Sequence, residues 1–189
     1  MPKRVDRVAR QEEILDAAVR VFARKGFAAA RIEDVAAAAG IAKGSVYLYF
    51  DSRDALLSGV FESYSARAAK VLGDLGAGSG LTRLTRLVRG IVDLLAAHPD
   101  HARVLLDVWA SNPPLDLAAM YREYRDAVAD LLAQAQADGE LRDGIDTRHA
   151  AVIVGAIEGC LVQTLADPQV SLRELADPLV QLCVEGIRK

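Results

Sequence analysis

Cysteine is scarce. Cys160 and Cys183 are the only two in 189 residues, too few for a disulfide framework, so the chain is expected to work reduced. Aromatic residues make up 5% of the sequence and Thr is sparse. No alternating apolar–polar run is flanked by hairpin residues, which argues against strands. No uninterrupted apolar run approaches the ~18 residues that cross a bilayer. The start, MPKRVDRVARQEE, is basic without an apolar segment behind it, unlike a signal peptide. Catalytic signatures are missing as well. There is no phosphate-cradling Gly-rich loop, no GxSxG elbow and no HExxH pair. The expectation is a cytoplasmic protein that is not an enzyme, has no membrane association and needs no cofactor.

What the chain does hold is apolar and helix-forming. Hydrophobic residues are 52% of the total, dominated by Ala and Leu, and this composition predicts an all-α fold. At this length one or two sizeable cores can be buried. The net charge of −3 is unevenly spread. Residues 1–50 carry nine Lys/Arg against six Asp/Glu, whereas residues 51–189 carry fourteen against twenty. A basic head on an acidic body fits a nucleic-acid binder, although the excess is modest.

The most informative stretch is Arg31 to Phe50, RIEDVAAAAGIAKGSVYLYF. Ile32, Val35, Ala36 and Ala39 recur at helical spacing, so Ile32–Ala39 is predicted as a short amphipathic helix. Gly40 can end it in the left-handed conformation. A second short helix over about Lys43–Tyr49 turns Val46 and Phe50 inward and Lys43, Ser45, Tyr47 and Tyr49 outward. Two short helices joined by a tight Gly turn make a helix-turn-helix, whose second helix enters a DNA major groove. Lys43 suits guanine edges or phosphates, while hydroxyls suit phosphate oxygens. Gly44 removes a side chain where the helix would lie closest to the DNA backbone. Spacing alone leaves open an ordinary helical hairpin with solvated polar residues.

The stretch IEDVAAAAGIAKGSVYLYFDSRDALL resembles the N-terminal DNA-binding domain of the tetracycline-repressor (TetR) family of bacterial regulators. The likeness runs from about Ile14 to Leu57, and AGIAKGSVYLYFDSRDALL is its most specific part. It implies a three-helix DNA-reading domain, residues 1–52, followed by a helical effector-binding and dimerisation domain, residues 53–189, with about nine helices in all. By the same resemblance Arg53 contacts phosphate from the start of the fourth helix. Family members often carry Thr or Ser where Ala30 and Arg31 stand, so helix capping there is in question and Arg31 is expected to contribute by charge.

Around this motif the remaining helices are predicted from periodicity. The first, about Val8–Lys25, lines up Ile14, Ala18 and Phe22 as support for the motif. Lys3, Arg4, Arg7 and Arg10 form a basic arm or a solvated terminus. Ser52 should cap a fourth helix reaching about Leu72. Gly73–Gly80, GDLGAGSG, reads as the most flexible segment. Helix five, about Leu81–Ala97, carries Arg83, Arg86 and Arg89 on one face, read as a solvated face or a partner for the acidic surface. Helix six runs from Pro99 to about Ser111, stopped by Asn112-Pro113-Pro114, and helix seven spans about Leu115–Asp138. The last two helices, about Thr147–Ala166 and Ser171–Arg188, are the most apolar. Pro178 should kink the last one or mark its true start. Gly155 and Gly159, four apart, permit close approach of another helix. Stripes this apolar need covering, either within one chain or by a second copy in a four-helix homodimer interface, which is how the resembling family assembles.

Helices five to eight are expected to surround an apolar effector cavity. Its candidate wall is Phe61, Tyr64, Trp109, Met120, Tyr121, Tyr124, Glu158 and Gln163, each of which also suits ordinary core. Glu158 sits on a very apolar helix and would pair with a cationic or polar ligand group. His98 and His101 stand at metal-binding spacing, but Pro99 makes this a helix start, and no metal site is assigned. The expectation is a homodimeric, ligand-responsive repressor of a palindromic double-stranded operator, released by a small-molecule effector. The alternative is a dimeric DNA-bound adaptor that engages a protein partner and has no small-molecule effector.

Overall fold

A computed structural model describes residues 7–111 and 115–189, the side chains of residues 109–111 excepted. Among the described residues there are nine α-helices, one 3₁₀ turn and an isolated bridge, but no named strand. The order is α1 (Arg7–Lys25), α2 (Ile32–Ala39), α3 (Lys43–Val46), α4 (Arg53–Gly73), α5 (Gly80–Ala97), α6 (Pro99–Ser111), α7 (Leu117–Ala137), α8 (His149–Ala166) and α9 (Ala176–Cys183). The all-α expectation holds. The chain packs into two compact units. One comprises residues 1–66 with 99–115 and the other residues 67–98 with 116–189. Packing therefore groups α6 with the first helices.

In the first unit, α1 buries Ile14, Ala17, Ala18, Val21 and Phe22 and packs against α2 and α6. Gly26, at φ +77°, ends α1 in the left-handed region, where a β-carbon would be strained. The next residue, Phe27, sets its ring edge-on to Phe22 at 5.4 Å. Its backbone N–H donates to Asp107 Oδ2 on α6 at 2.6 Å. That bond satisfies a main-chain donor at a helix exit and fastens α6 to the turn. Gly59 of α4 has no room for a larger residue, since a β-carbon would stand 2.9 Å from the Phe50 ring. Ser52 caps α4 as expected, its Oγ accepting from Ala55 N at 3.0 Å.

In the second unit, α5 is the hub, packed against α7, α8 and α9. Its start is crowded: a β-carbon on Gly80 would stand 2.2 Å from the backbone nitrogen of Ala135. Glu140 caps it, accepting from Leu81 N at 3.0 Å and from the Ser79 hydroxyl at 2.7 Å. The main-chain oxygen of Glu140 accepts from Lys189 N at 2.8 Å, and Arg142 N donates to Ile187 O at 3.0 Å.

Two expectations are corrected here. The Gly73–Gly80 segment is pinned rather than loose. Arg86 donates to Leu75 O and Ala77 O, both at 2.7 Å, Gln134 donates to Gly78 O at 3.3 Å, and Leu75 is buried. Of the two readings of the Arg83, Arg86 and Arg89 row, the partner for acidic surface fits Arg89. Arg83 donates to Gln134 at 2.6 Å and Arg89 pairs with Asp177 at 2.6 Å. The last helix is also shorter than its apolar pattern, since α9 covers only Ala176–Cys183. Pro178 is its third residue, a first-turn position at which a missing N–H costs no helical bond. The Pro178 position thus marks the true start. The Asn112-Pro113-Pro114 stop and the arm residues Lys3 and Arg4 lie outside the described residues.

By length and composition α8 would pass for a membrane span, with mean hydropathy 1.5 over His149–Ala166. Charge and Gln interrupt the run at Glu158 and Gln163, which is why the sequence shows no continuous span. Ala151, Val152, Gly155, Gly159, Val162 and Gln163 are exposed along one side. Val152 is 65% exposed, and Leu182 on α9 is 77% exposed. A β-carbon on Gly155 or Gly159 would meet nothing within 4 Å.

Candidate nucleic-acid interface and ligand cleft

The α2–turn–α3 motif forms as its sequence dictates. Gly40 adopts φ 67°, ψ 32°, and Ile41 N donates to Ala36 O at 3.0 Å, closing α2 with a left-handed cap. At the other end of α2 the Thr/Ser capping role is replaced. Arg31 has no acceptor, and Asp34 reaches back instead, accepting from Arg31 N at 3.1 Å and from Lys25 Nζ at 2.6 Å. These donors, Lys25 first, hold the Asp34 carboxyl below its ordinary range.

Four side chains anchor the motif inward: Ile32, Val35, Val46 and Phe50 are buried. Strictly helical geometry in α3 ends at Val46, earlier than expected. The next residues continue as hydrogen-bonded turns, with Tyr49 N and Phe50 N both donating to Val46 O at 3.0 Å. Arg31, Lys43, Gly44 and Tyr47 are exposed, and Ser45 and Tyr49 are half-exposed. Around Gly44 a β-carbon would meet nothing within 4 Å. Nothing among the described residues therefore requires glycine there, and the open space lies on the outer side of α3.

Lys43 is held within the motif. Its ammonium pairs with Glu33 Oε1 at 2.6 Å and lies 5.8 Å from the centre of the Tyr47 ring. Their hydrogen bond pushes the Lys43 ammonium up and the Glu33 carboxyl down from their ordinary values. Arg7 lies over the Tyr49 ring at 5.9 Å. Arg53 is half-exposed and already employed: Nη1 donates to Ala28 O at 2.9 Å, and the guanidinium stacks over Phe27 at 4.3 Å.

A separate cleft of about 590 Å³ opens in the second unit. Val71, Leu75 and Leu94 line it with apolar surface. Gly90 is forced by proximity, since a β-carbon would stand 2.5 Å from Val71 Cγ1. Arg67, Lys70 and Arg86 face it against a single acid, Asp74, with His98 beside Arg67 Nη1 at 3.2 Å. Such a cleft favours an apolar ligand with an anionic group.

Two matches to family models decide the classification. Residues 14–60 match the bacterial regulatory proteins of the tetR family. Residues 81–189 match the C-terminal domain of SbtR-like transcriptional regulators. The chain belongs to the TetR family.

The fatty acid metabolism regulator protein of Bacillus subtilis (strain 168) is 26% identical, over 93% of this chain and 94% of that one. The nicotine-responsive transcriptional repressor HdnoR of Paenarthrobacter nicotinovorans is 26% identical, over 97% and 98%. Among solved structures, the fatty acid degradation regulator FadR of Bacillus halodurans superimposes with TM-score 0.81 at 29% identity, over 94% and 99%. Each spans nearly the whole of this TetR-family chain. The fold and the DNA-binding regulatory role therefore go with the family, and the relatives are regulators, not enzymes.

The structure brings six of the seven DNA-contact candidates of this TetR head to its outer side and gives the seventh, Arg53, a second task in the α1–α2 turn. Leu48, which the sequence reading passed over, is 72% exposed between the two tyrosines. Its signal was available: an apolar residue out of step with Val46 and Phe50 must point outward, where it suits a thymine methyl. Of the cavity candidates, Phe61, Tyr64, Met120, Tyr121, Tyr124 and Glu158 are half-buried and Gln163 is exposed. The Trp109 side chain lies outside the described residues. None of the other seven lines the cleft beside Gly90. His98 meets Arg67, while the His101 ring lies 5.7 Å from Tyr64. Burial pushes both Cys160 and Cys183 thiols up, away from reactivity.

Proposed function

We propose that this regulator is a cytoplasmic homodimer that represses transcription from a palindromic operator and is released by a small anionic amphiphile. The observation that carries the reading is the outer side of α3, where Lys43, open Gly44, Tyr47 and Leu48 stand together. Lys43 and Ser45 read base edges and Leu48 touches thymine methyls. Tyr47, Tyr49, Arg31 and Arg53 hold phosphates. A second copy covers the exposed strip of α8 and α9, and its recognition helix falls one helical turn away, ~34–36 Å.

The effector reading is supported by charge. Relatives include a regulator of fatty acid metabolism and a nicotine-responsive repressor, names that point to compounds of opposite charge. Three cations against one carboxylate around the cleft favour the acid. Ligand binding releases DNA only through its differential affinity for two states of the body, a coupling of about 1–3 kcal/mol.

Selection from a random duplex library, followed by footprinting, tests the DNA reading. A palindromic winner bound less tightly by Tyr47→Phe supports it. Weak, salt-sensitive binding with no enriched sequence would favour the adaptor. With the winning duplex in hand, oleate should loosen the complex and nicotine should not. Lys70→Ala should blunt the oleate response while leaving operator affinity unchanged.

A further inference from the structure

The bonds that pin the Gly73–Gly80 segment also fix the guanidinium that makes them. Arg86 Nη1 donates to Leu75 O and Ala77 O, both at 2.7 Å. Those two bonds use both N–H groups of that nitrogen. Among the described residues no acceptor meets Nε or Nη2. The N–H groups left over form one planar edge, which matches the paired oxygens of a carboxylate. Arg86 borders the cleft, and Gly90 and Leu94 follow it at four-residue steps along one face of α5. A ligand gripped at Arg86 therefore lays its apolar part over Val71 and Leu94.

The carbonyls are themselves held. Leu75 is buried, and Gly78 O accepts from Gln134 at 3.3 Å. The Ala77 carbonyl belongs to the peptide entering Gly78, whose φ of +151° is rarely adopted by a residue with a β-carbon. Gly76, at φ +66°, turns the chain between the two acceptors. A β-carbon on Gly76 or Gly78 would stand 3.6 or 3.5 Å from Arg86 Nη1, so the turn wraps that nitrogen closely. The neighbouring cations are placed differently. Lys70 is an exposed side chain on a flexible stem, and Arg67 Nη1 lies 3.2 Å from the His98 ring. Ordering one such long side chain at the moment of binding costs about two- to twelvefold in affinity. In Arg86 the fold has already supplied that order.

We propose that the turn at Gly76, Ala77 and Gly78 is a positioning element of the cleft: it holds Arg86 so that the Nε–Nη2 edge takes the ligand's carboxylate and selects it over an uncharged polar head. The proposal rests on the cleft being the effector site. Within that site it separates two kinds of cation, a mobile ammonium that attracts any anion and a fixed fork that rewards a planar one.

The test is calorimetric binding of decanoate and of decanol to the full-length protein. The ratio of the two affinities isolates the headgroup, because the tail is common to both. Arg86→Ala should lower that ratio about tenfold or more, the worth of a hydrogen bond to a charged partner. Gly78→Ala changes no charge and no side chain of the cleft lining. It should lower the ratio about two- to twelvefold, since the ligand must then order Arg86 itself. In an Arg86→Ala chain the same glycine substitution should leave the ratio unchanged. Arg86→Lys keeps the charge without the planar edge and should lose nearly as much as Arg86→Ala, which tests the fork independently of how Gly78→Ala folds. Equal losses for decanoate and decanol in Gly78→Ala would mean damage to the whole cleft and overturn the proposal. So would an unchanged ratio in Arg86→Lys, or a further fall when Gly78→Ala is added to Arg86→Ala. A wild-type ratio near unity would remove the anionic-effector reading and the proposal with it. A high ratio that is lost in Lys70→Ala but kept in Arg86→Lys would leave that reading standing and overturn the role of the turn alone.

Discussion

The hydrogen bond from Phe27 N to Asp107 Oδ2 ties α6 to the turn that leads into the DNA-reading helices. Asp107→Ala removes the acceptor and leaves a main-chain donor at the α1–α2 turn without it. A hydrogen bond to a charged partner is worth about 1.5–3 kcal/mol. For a chain of this size each kcal/mol moves the midpoint by about 2–4 °C, so Asp107→Ala should melt roughly 3–12 °C lower in calorimetry. Asp107→Asn keeps a side-chain oxygen at 2.6 Å from the same nitrogen and should recover more than half of the loss. Amide exchange supplies the local readout: the Phe27 amide should exchange faster in Asp107→Ala, ahead of amides in the middle of α1. Unchanged Phe27 protection in Asp107→Ala, or an Asn variant as unstable as the Ala variant, would refute this account of the turn.

Three further outcomes follow from the packing and charge. Gly80→Ala would put a β-carbon 2.2 Å from the main chain of α7, which cannot yield as a side chain can. Urea unfolding should show a loss of about 3 kcal/mol or more. Leu182→Glu, combined with Val152→Glu, should convert a dimer to a monomer in sedimentation velocity without lowering helix content. A double variant that still sediments as a dimer would remove α8 and α9 from the interface. The Asp34 carboxyl is depressed by Lys25 and Arg31 N–H below its ordinary 3.8. Its stabilisation is therefore complete above that value and lost as pH falls through the depressed one. Asp34→Asn should flatten the acid limb of the stability curve in that window and leave neutral-pH charge effects elsewhere intact.

Most of the fold was legible because the apolar spacing is regular. Ile32–Ala39 is bounded as expected, and Ser52, Gly26 and Gly40 punctuate the chain where their side chains or φ angles require. The α9 boundary was obscured because Leu172, Leu179, Leu182 and Val184 continue a helical rhythm through turns. The outward positions of Lys43, Ser45, Tyr47 and Tyr49 were legible from spacing, but their partners within the chain were not. Nothing in the spacing tells that Glu33 holds Lys43, or that Arg53 spends Nη1 on Ala28 O. Those pairings depend on where two helices cross. The cleft was missed for the same reason, since Gly90 looks like a helix weakener until Val71 is seen 2.5 Å from its absent β-carbon.

The junction at Glu140 bears on how this protein can be built into a sensor. One residue caps α5 with its carboxylate and holds Lys189 with its main-chain oxygen, and α5 supplies Arg86, Gly90 and Leu94 to the cleft. A reporter fused behind Lys189 would pull on the start of the helix that borders the cleft, so its attachment is itself a perturbation of ligand affinity. The loop at Gly144 is a quieter place for it: the residue is exposed, with open space around its α-carbon. Comparing the oleate response of the two fusions would measure how far strain at the tail travels along α5.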